Sequence, residues 1–248
     1  MEMIVKILKS VTRFSMLICL CISAASASVV MTNSRVIYPA GATEVNVQLT
    51  NHDEMPYAIQ VWFDSGDASS TPQTAGSVPF VSTPSVFRIQ PKSGQTVRVV
   101  FTGADLPQDR ESVYYLNFIQ IPPMTKESAD NKLVVILKNR VKVFYRPTSL
   151  RGGIERQVEN LSFKIDKQGK DTVLIVNNPT GYYANFTDAR LSVSGKNYPI
   201  AIGMIKPKSE EKIVIPHAPA SIINVKPQLH YSLINDQGGK YTQQYSIN

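Results

Sequence analysis

The chain has 248 residues, and its 26 lysines and arginines outnumber 19 acidic residues, for a formal net charge of +7. A chain of this length can bury one or two ordinary hydrophobic cores. The basic residues form no dense run and do not alternate with aromatic residues as in RNA-binding motifs, so nucleic-acid binding is not predicted. We interpret the charge as favouring solubility and a local anionic partner.

The amino terminus has the pattern of a secretory signal peptide. Three basic residues precede a short apolar run at residues 14–22 (FSMLICLCI), and small residues end at Ala27. The run is shorter than the ~20 residues that span a bilayer, so no membrane anchor is predicted. Cleavage after residue 27 would leave 221 exported residues with a charge of +5. Both cysteines, Cys19 and Cys21, fall inside the signal, so the mature chain must be held together without disulfides.

The first half of the mature chain reads as a series of short strands, and helical periodicity is nearly absent. Alternating or apolar runs occur at residues 29–31, 44–49, 57–63, 96–101 and 113–121. Turn-forming stretches such as residues 38–41 (YPAG) and 64–67 (DSGD) separate them. Strands at this spacing predict a β-sandwich.

Residues 133–145 (LVVILKNRVKVFY) form the longest strand candidate. These 13 residues contain no glycine or proline, and at ~3.3 Å per residue they would span about 43 Å. Odd positions are apolar except for Asn139, and Lys138, Arg140 and Lys142 occupy even positions. Such a strand is an aggregation hazard as a bare sheet edge. It is therefore either buried throughout or receives another chain, and the rest of the sequence favours the second alternative.

A second set of strands follows the long one. Arg146-Pro147 ends the long strand, and residues 151–153 (RGG) form a flexible break. Further strand candidates lie at residues 161–165, 172–176, 189–193, 212–215, 229–235 and 241–247. The sequence therefore predicts an all-β protein with a signal at 1–27 and sandwich domains at 28–148 and 149–248.

No catalytic or metal-binding constellation stands out. The three histidines, His52, His217 and His230, are isolated from one another and from other metal-ligand residues. There is no G-x-S-x-G motif, and residues 194–197 (SGKN) lack the upstream glycine and the Ser/Thr of a phosphate loop. The sequence therefore predicts neither an enzyme nor a cofactor.

Three basic residues on predicted strands remain as candidates: Arg35, Arg98 and Lys142. Each is flanked by apolar strand residues. They could simply lie on a solvated outward face. Alternatively, some of them converge as a clamp for an anion.

Residues 106–123 (LPQDRESVYYLNFIQIPP) resemble the signature segment of the periplasmic pilus (fimbrial) chaperones of the chaperone–usher pathway. Further matches occur in order at residues 33–38, 142–147, 178–183 and 234–239. The resemblance covers essentially the whole mature chain. It implies two immunoglobulin-like β-sandwich domains set in an L (a boomerang) with a cleft between them.

The resemblance also implies a function and its residues. Such chaperones bind pilin subunits in the periplasm by donor-strand complementation, cap them and deliver them to an outer-membrane usher. Arg35 and Lys142 match the pair that grips the subunit's C-terminal carboxylate, and Leu133, Val135 and Leu137 are the implied donors to the pilin groove.

Three further residues match an interdomain ion network with a structural role: Glu111, Arg146 and Asp236. The connection at residues 124–132 is short, which implies the branch with a short F1–G1 loop. The apolar end of the long strand also favours a self-capping homodimer of the free chain. An exported sandwich adhesin or lectin is the alternative function, and it would bind carbohydrate through loops.

Overall fold

The computed structural model of the chain describes residues 28–123, 134–219, 222 and 225–247. The predicted signal peptide, the connection at residues 124–132 and the predicted donor Leu133 lie outside the described residues. No helix in the described part of the chain is long and apolar enough to cross a membrane.

In its described residues, the first domain has nine strands. They are β1 (Val29–Met31), β2 (Arg35–Pro39), β3 (Val45–Asn51), β4 (Tyr57–Asp64), β5 (Phe80–Thr83), β6 (Val86–Ile89), β7 (Gly94–Phe101), β8 (Ser112–Ile121) and β9 (Leu137–Arg146). One sheet has the order β1-β3-β7-β5 and the other β2-β9-β8-β4-β6. The chain therefore changes sheets between β1 and β2, so residues 29–39 contribute to both layers.

Alternating apolar side chains of the two sheets meet in one core. Ile59, Val99 and Val143 are fully buried there, together with aromatic side chains. The hydroxyl of Tyr38 accepts a hydrogen bond from the amide of Phe101 at 3.1 Å. It lies 3.1 Å from the carbonyl oxygen of Ala42, to which it donates. The buried hydroxyl is thus satisfied, and it links β2 of one sheet to β7 of the other.

The predicted 13-residue strand is shorter in the structure. β9 begins at Leu137, and residues 134–136 are exposed and outside any strand. The physical reason is the length of its neighbour, since the last register pair joins Leu137 to Gln120 of β8, which ends at Ile121. The pairing from Tyr145 to Leu137 runs without a bulge, so odd residues of β9 share the core-facing side with Val143 throughout.

The described part of the second domain contains one helix and eight strands. They are α1 (Ile154–Asn160), β10 (Ser162–Gln168), β11 (Asp171–Asn178), β12 (Ala184–Val193), β13 (Lys196–Ile200), β14 (Met204–Ile205), β15 (Ser209–Val214), β16 (Gln228–Ile234) and β17 (Lys240–Ser246). A sheet of order β10-β11-β15 packs on one of order β13-β12-β16-β17, with β14 on β12. The core includes Leu174, Leu191 and Leu229. The helix was not predicted, because a run of seven residues is too short to show helical periodicity.

Candidate functional site

Arg35 and Lys142 lie side by side on adjacent strands. β2 runs parallel to β9, and the two residues are register partners. Neighbouring strands are about 4.8 Å apart and paired residues face the same side. Val36 and Val143, the next pair, are buried in the core. Arg35 and Lys142 therefore share the opposite face, which is turned toward the second domain.

The two cations have few partners of their own. Arg35 is 7% exposed, and its Nη1 donates to the carbonyl oxygen of Ile234 at 3.2 Å. Its Nε is buried and has no hydrogen-bond partner among the described residues. Lys142 is half-buried, and within the same residues its ammonium group has neither a hydrogen bond nor an ion pair.

The pKa values of both groups are lowered, and burial is the largest cause in each case. Burial, followed by the positive charges of Arg35 and Arg140, lowers the pKa of Lys142. Burial also lowers the pKa of Arg35, against the attraction of Asp236 and Glu111. An anion that reached both side chains would gain charge-assisted hydrogen bonds and relieve this repulsion. The third candidate, Arg98, lies elsewhere, half-exposed and 3.5 Å from Glu44.

A second cluster links the two domains. The Nε of Arg146 donates to Oε1 of Glu111 at 2.8 Å, and Nη1 and Nη2 donate to the two carboxylate oxygens of Asp236 at 2.6 and 2.8 Å. Glu111 is 4% exposed, and its other oxygen accepts the amide of Tyr183 at 2.9 Å. Arg146, at the end of β9, thus contacts both other residues of the predicted network and bridges the two domains.

Close backbone packing accompanies this network. The amide of Glu111 donates to the carbonyl oxygen of Gly181 at 2.8 Å, and the ring of Phe144 packs on that of Tyr183. A Cβ atom on Gly181 would lie 2.8 Å from the backbone oxygen of Asp109 and 2.4 Å from a methyl group of Leu150. The domains meet so closely here that glycine is the residue that fits.

On the amino-terminal side of Lys142, β9 has an open edge. β2 pairs with β9 only from Lys142 to Arg146, whereas residues 137–141 pair with β8 alone among the residues that the structure describes. The donors predicted in the described chain, Val135 and Leu137, are 60% and 49% exposed. Val134 and Ile136 are exposed as well. Residues 134–136 lie outside any strand, so their side chains do not alternate between a buried and an exposed face. A contiguous exposed apolar segment of this kind is typical of interaction surfaces.

Two family models match the chain. Residues 28–151 match "Pili and flagellar-assembly chaperone, PapD N-terminal domain", and residues 156–245 match "Pili assembly chaperone PapD, C-terminal domain". The chain belongs to the PapD family of pilus-assembly chaperones. This is a family of chaperones and not of enzymes, and it supports the chaperone interpretation over the adhesin or lectin alternative.

Individual relatives cover most of the PapD-family chain. It is 37% identical over 237 residues to the probable fimbrial chaperone YadV of Escherichia coli K12, covering 93% of this chain and 95% of YadV. The crystal structure of the YadV chaperone has a TM-score of 0.74 at 34% identity, covering 89% of this chain and all of that one. A solved complex of the Salmonella enterica SafA pilin with the SafB chaperone has a TM-score of 0.72 at 25% identity, covering 91% and 99%.

Proposed function

We propose that this chain is a periplasmic chaperone that binds pilin subunits by donor-strand complementation, caps them and delivers them to an outer-membrane usher. The observation that carries the proposal is the position of the Arg35–Lys142 pair. The two cations lie where β2 ends its pairing with β9 and the open edge of β9 begins. A single extended client chain could therefore end on the cations and pair with that edge.

The open edge would supply most of the affinity. A client strand beside residues 137–141 would use the backbone groups that β8 leaves unpaired, and each such hydrogen bond contributes ~0.5–1.5 kcal/mol. Leu133, Val135 and Leu137 would enter the client's groove as donors. Full burial of each stabilises the complex by ~1.5–3 kcal/mol before the entropic cost of association.

The cationic pair would set the position of the client. A C-terminal carboxylate held by Arg35 and Lys142 gains charge-assisted hydrogen bonds of ~1.5–3 kcal/mol apiece. Because a chain end occurs once per client, this contact fixes which residue faces which donor. The network of Glu111, Arg146 and Asp236 does not contact the client in this proposal, and it keeps the two domains in the orientation that forms the cleft.

We also propose how the chain is exported, which branch of the family it belongs to and how it behaves without a client. A signal peptide at residues 1–27 would export the chain to the periplasm, where fimbrial chaperones of this family are found. The connection at residues 124–132 would place it in the branch with a short F1–G1 loop. In the absence of a client, a second copy would cover the exposed apolar end of β9.

Co-expression with a pilin subunit of the same organism tests the proposal. An affinity tag on the wild-type chain should recover a soluble 1:1 complex, whereas Arg35→Ala and Lys142→Ala should each recover much less. Lys164→Ala is the matched control, because Lys164 is exposed on β10 of the second domain. Retention of the complex by both anchor variants would contradict the anchor, and failure of the wild type to solubilise any pilin would contradict the function.

A further inference from the structure

Three basic residues, and not one, lie along the same face of β9. Lys138, Arg140 and Lys142 alternate with residues of the core-facing side, and they pair in register with Ile119, Asn117 and Tyr115 of β8. Alternate residues of a strand are about 6.6 Å apart. A client carboxylate that bound Arg140 in place of Lys142 would shift the client by two residues. Because a shift by two residues keeps every side chain on its original face, the alternation of side chains along the strand does not exclude it.

Arg140 is already occupied by a buried carboxylate. Asp64, at the end of β4, is 1% exposed. It accepts Nη2 of Arg140 at 2.6 Å and Nε at 3.1 Å, a two-pronged contact. The guanidinium also lies 3.5 Å above the ring of Tyr115. The charge of Arg140 is thus neutralised within the first domain.

Asp64 is itself held from several sides. Its oxygens accept the side-chain amide of Asn117 at 2.7 Å, the hydroxyl of Ser70 at 3.2 Å and the backbone amide of Gly66 at 2.7 Å. Burial alone would raise the pKa of Asp64, but the hydrogen bonds from Arg140, Asn117 and Gly66 together outweigh it, and the pKa is lowered. The carboxylate therefore stays ionised and fixed in place.

The segment that follows Asp64, residues 65–70, contacts the third basic residue of this face, Lys138. Lys138 donates from Nζ to the carbonyl oxygens of Ala68 at 2.9 Å and Ser70 at 2.7 Å. Its ammonium group lies 5.1 Å from the ring centre of Trp62, whose indole nitrogen donates to Ser70 at 3.3 Å. The contacts of residues 64–70 thus reach Lys138 and Arg140, and Lys142 lies beyond them.

We propose that residues 64–70, with Asp64 as the central positioning residue, select the register of the client by neutralising Arg140 and engaging Lys138, which leaves Lys142 with Arg35 to receive the carboxylate. This inference rests on the proposed function. It assigns Asp64 a role in client positioning without contact to the client.

A client-free experiment tests which cations are available. Side-chain NMR spectra of lysine and arginine are followed on addition of acetate, with acetamide as the neutral match. In the wild type, acetate should shift Lys142 and leave Arg140 unchanged. In Asp64→Asn, which keeps size and removes the charge, Arg140 should shift as well. Equal shifts of Arg140 in the two proteins would overturn the proposal.

A second experiment measures the register directly. The two cysteines of the chain are Cys19 and Cys21, so after signal removal Val134→Cys carries a single thiol beside the client. Disulfide trapping against single cysteines placed along a pilin that copurifies with the wild type then gives the register. Asp64→Asn should add a product displaced by two residues. The double variant Asp64→Asn, Arg140→Met should lose that product, because the competing cation is gone.

The controls separate positioning from stability. Asp188→Asn breaks an exposed ion pair with Lys240 in the second domain and should leave the register unchanged. The double variant Asp64→Asn, Arg140→Met removes both charges of the buried pair and leaves no carboxylate buried without its cation. It should keep both the acetate shift of Lys142 and the wild-type register, and it decides the question if Asp64→Asn alone does not fold. Loss of client binding in the folded double variant would make Arg140 the anchor and overturn the proposal. If no pilin copurifies with the wild type, the proposed function fails, whereas the acetate experiment still reports on Asp64.

Discussion

Arg146 donates both terminal nitrogens of its guanidinium to the carboxylate of Asp236 across the domain boundary. Arg146 is the last residue of β9, and Lys142 and Leu137 lie on the same strand. One strand of about 30 Å therefore joins the domain interface, the proposed anchor and the proposed donor segment. Its interface end is held by two carboxylates, and its other end has an open edge, so changes at the interface should affect the orientation of the anchor.

Removal of Arg146 should be much more destabilising than removal of Asp236. Arg146→Met leaves Glu111 buried without its cation, a change that typically costs about 3–5 kcal/mol. Asp236 is more than a third exposed, so solvent screens its contribution and Asp236→Asn should cost less than about 1 kcal/mol. Urea unfolding measures both values. Equal losses would show that Asp236, and not Glu111, dominates the network.

Substitution of the donors should weaken client binding and leave the fold intact. Val135→Ser and Leu137→Ser remove apolar surface that is exposed in the free chain, so the unfolding free energy should change little. Each should weaken a pilin complex by roughly 10–100-fold, since burial of one such side chain is worth ~1.5–3 kcal/mol. Titration of pilin against each variant gives the dissociation constants.

Val214→Ser provides the control for the donor variants. Val214 is 49% exposed, as is Leu137, but it lies on β15 of the second domain. It should bind pilin as tightly as the wild type. An equal loss in all three variants would argue against a donor segment at β9.

Client binding should weaken at alkaline pH before an ordinary lysine titrates. Burial and the charges of Arg35 and Arg140 place the pKa of Lys142 below the usual 10.5. As pH rises through that lowered value, the wild type loses one charge from the anchor and the affinity for the carboxylate falls. Lys142→Arg keeps its charge over this range and should show no such loss. Affinities of the two proteins, measured in parallel from pH 7 to 10, test the difference.

The contribution of Lys142 to the stability of the free chain should rise with pH, whereas its contribution to client affinity should fall. Because its folded-state pKa lies below the unfolded value, the folded state binds fewer protons between the two values. The contribution of Lys142 to the free energy of unfolding therefore rises with pH in that window. When urea unfolding of the wild type and of Lys142→Met is measured at several pH values, the free energy of unfolding should rise more steeply with pH in the wild type. A difference of the reverse sign would mean that Lys142 has an anionic partner in the free chain.

The free chain should self-associate through the apolar end of β9. Residues 134–137 are each 46–60% exposed and adjoin an open edge, a combination that favours strand-to-strand pairing. Sedimentation velocity should show a species that grows with concentration and diminishes in Leu137→Asp. Saturation with a pilin subunit should also remove it. A monomer at every concentration would contradict this prediction.

Local sequence determined the strands and the family. Alternation of apolar residues located runs such as 57–63 and 113–121, and the structure places β4 and β8 there. The segment at residues 106–123 pointed to the family that both domain models match. The same local pattern predicted too long a strand at β9, because residues 134–136 have the composition of a strand but pair with no neighbour in the described part of the chain. Strand propensity is a property of the residues, whereas a strand requires a partner.

Only the tertiary structure decided what the charged residues do. Lys138, Arg140 and Lys142 are equivalent in the sequence pattern, and Asp64 reads as part of a turn. Pairing of β4, β8 and β9 brings Asp64 to Arg140 across 76 positions, and the parallel pairing of β2 with β9 brings Arg35 to Lys142. Register between distant strands is set by how two sheets bury their apolar faces together. That information is distributed over the whole domain, so no segment of the sequence carries it alone.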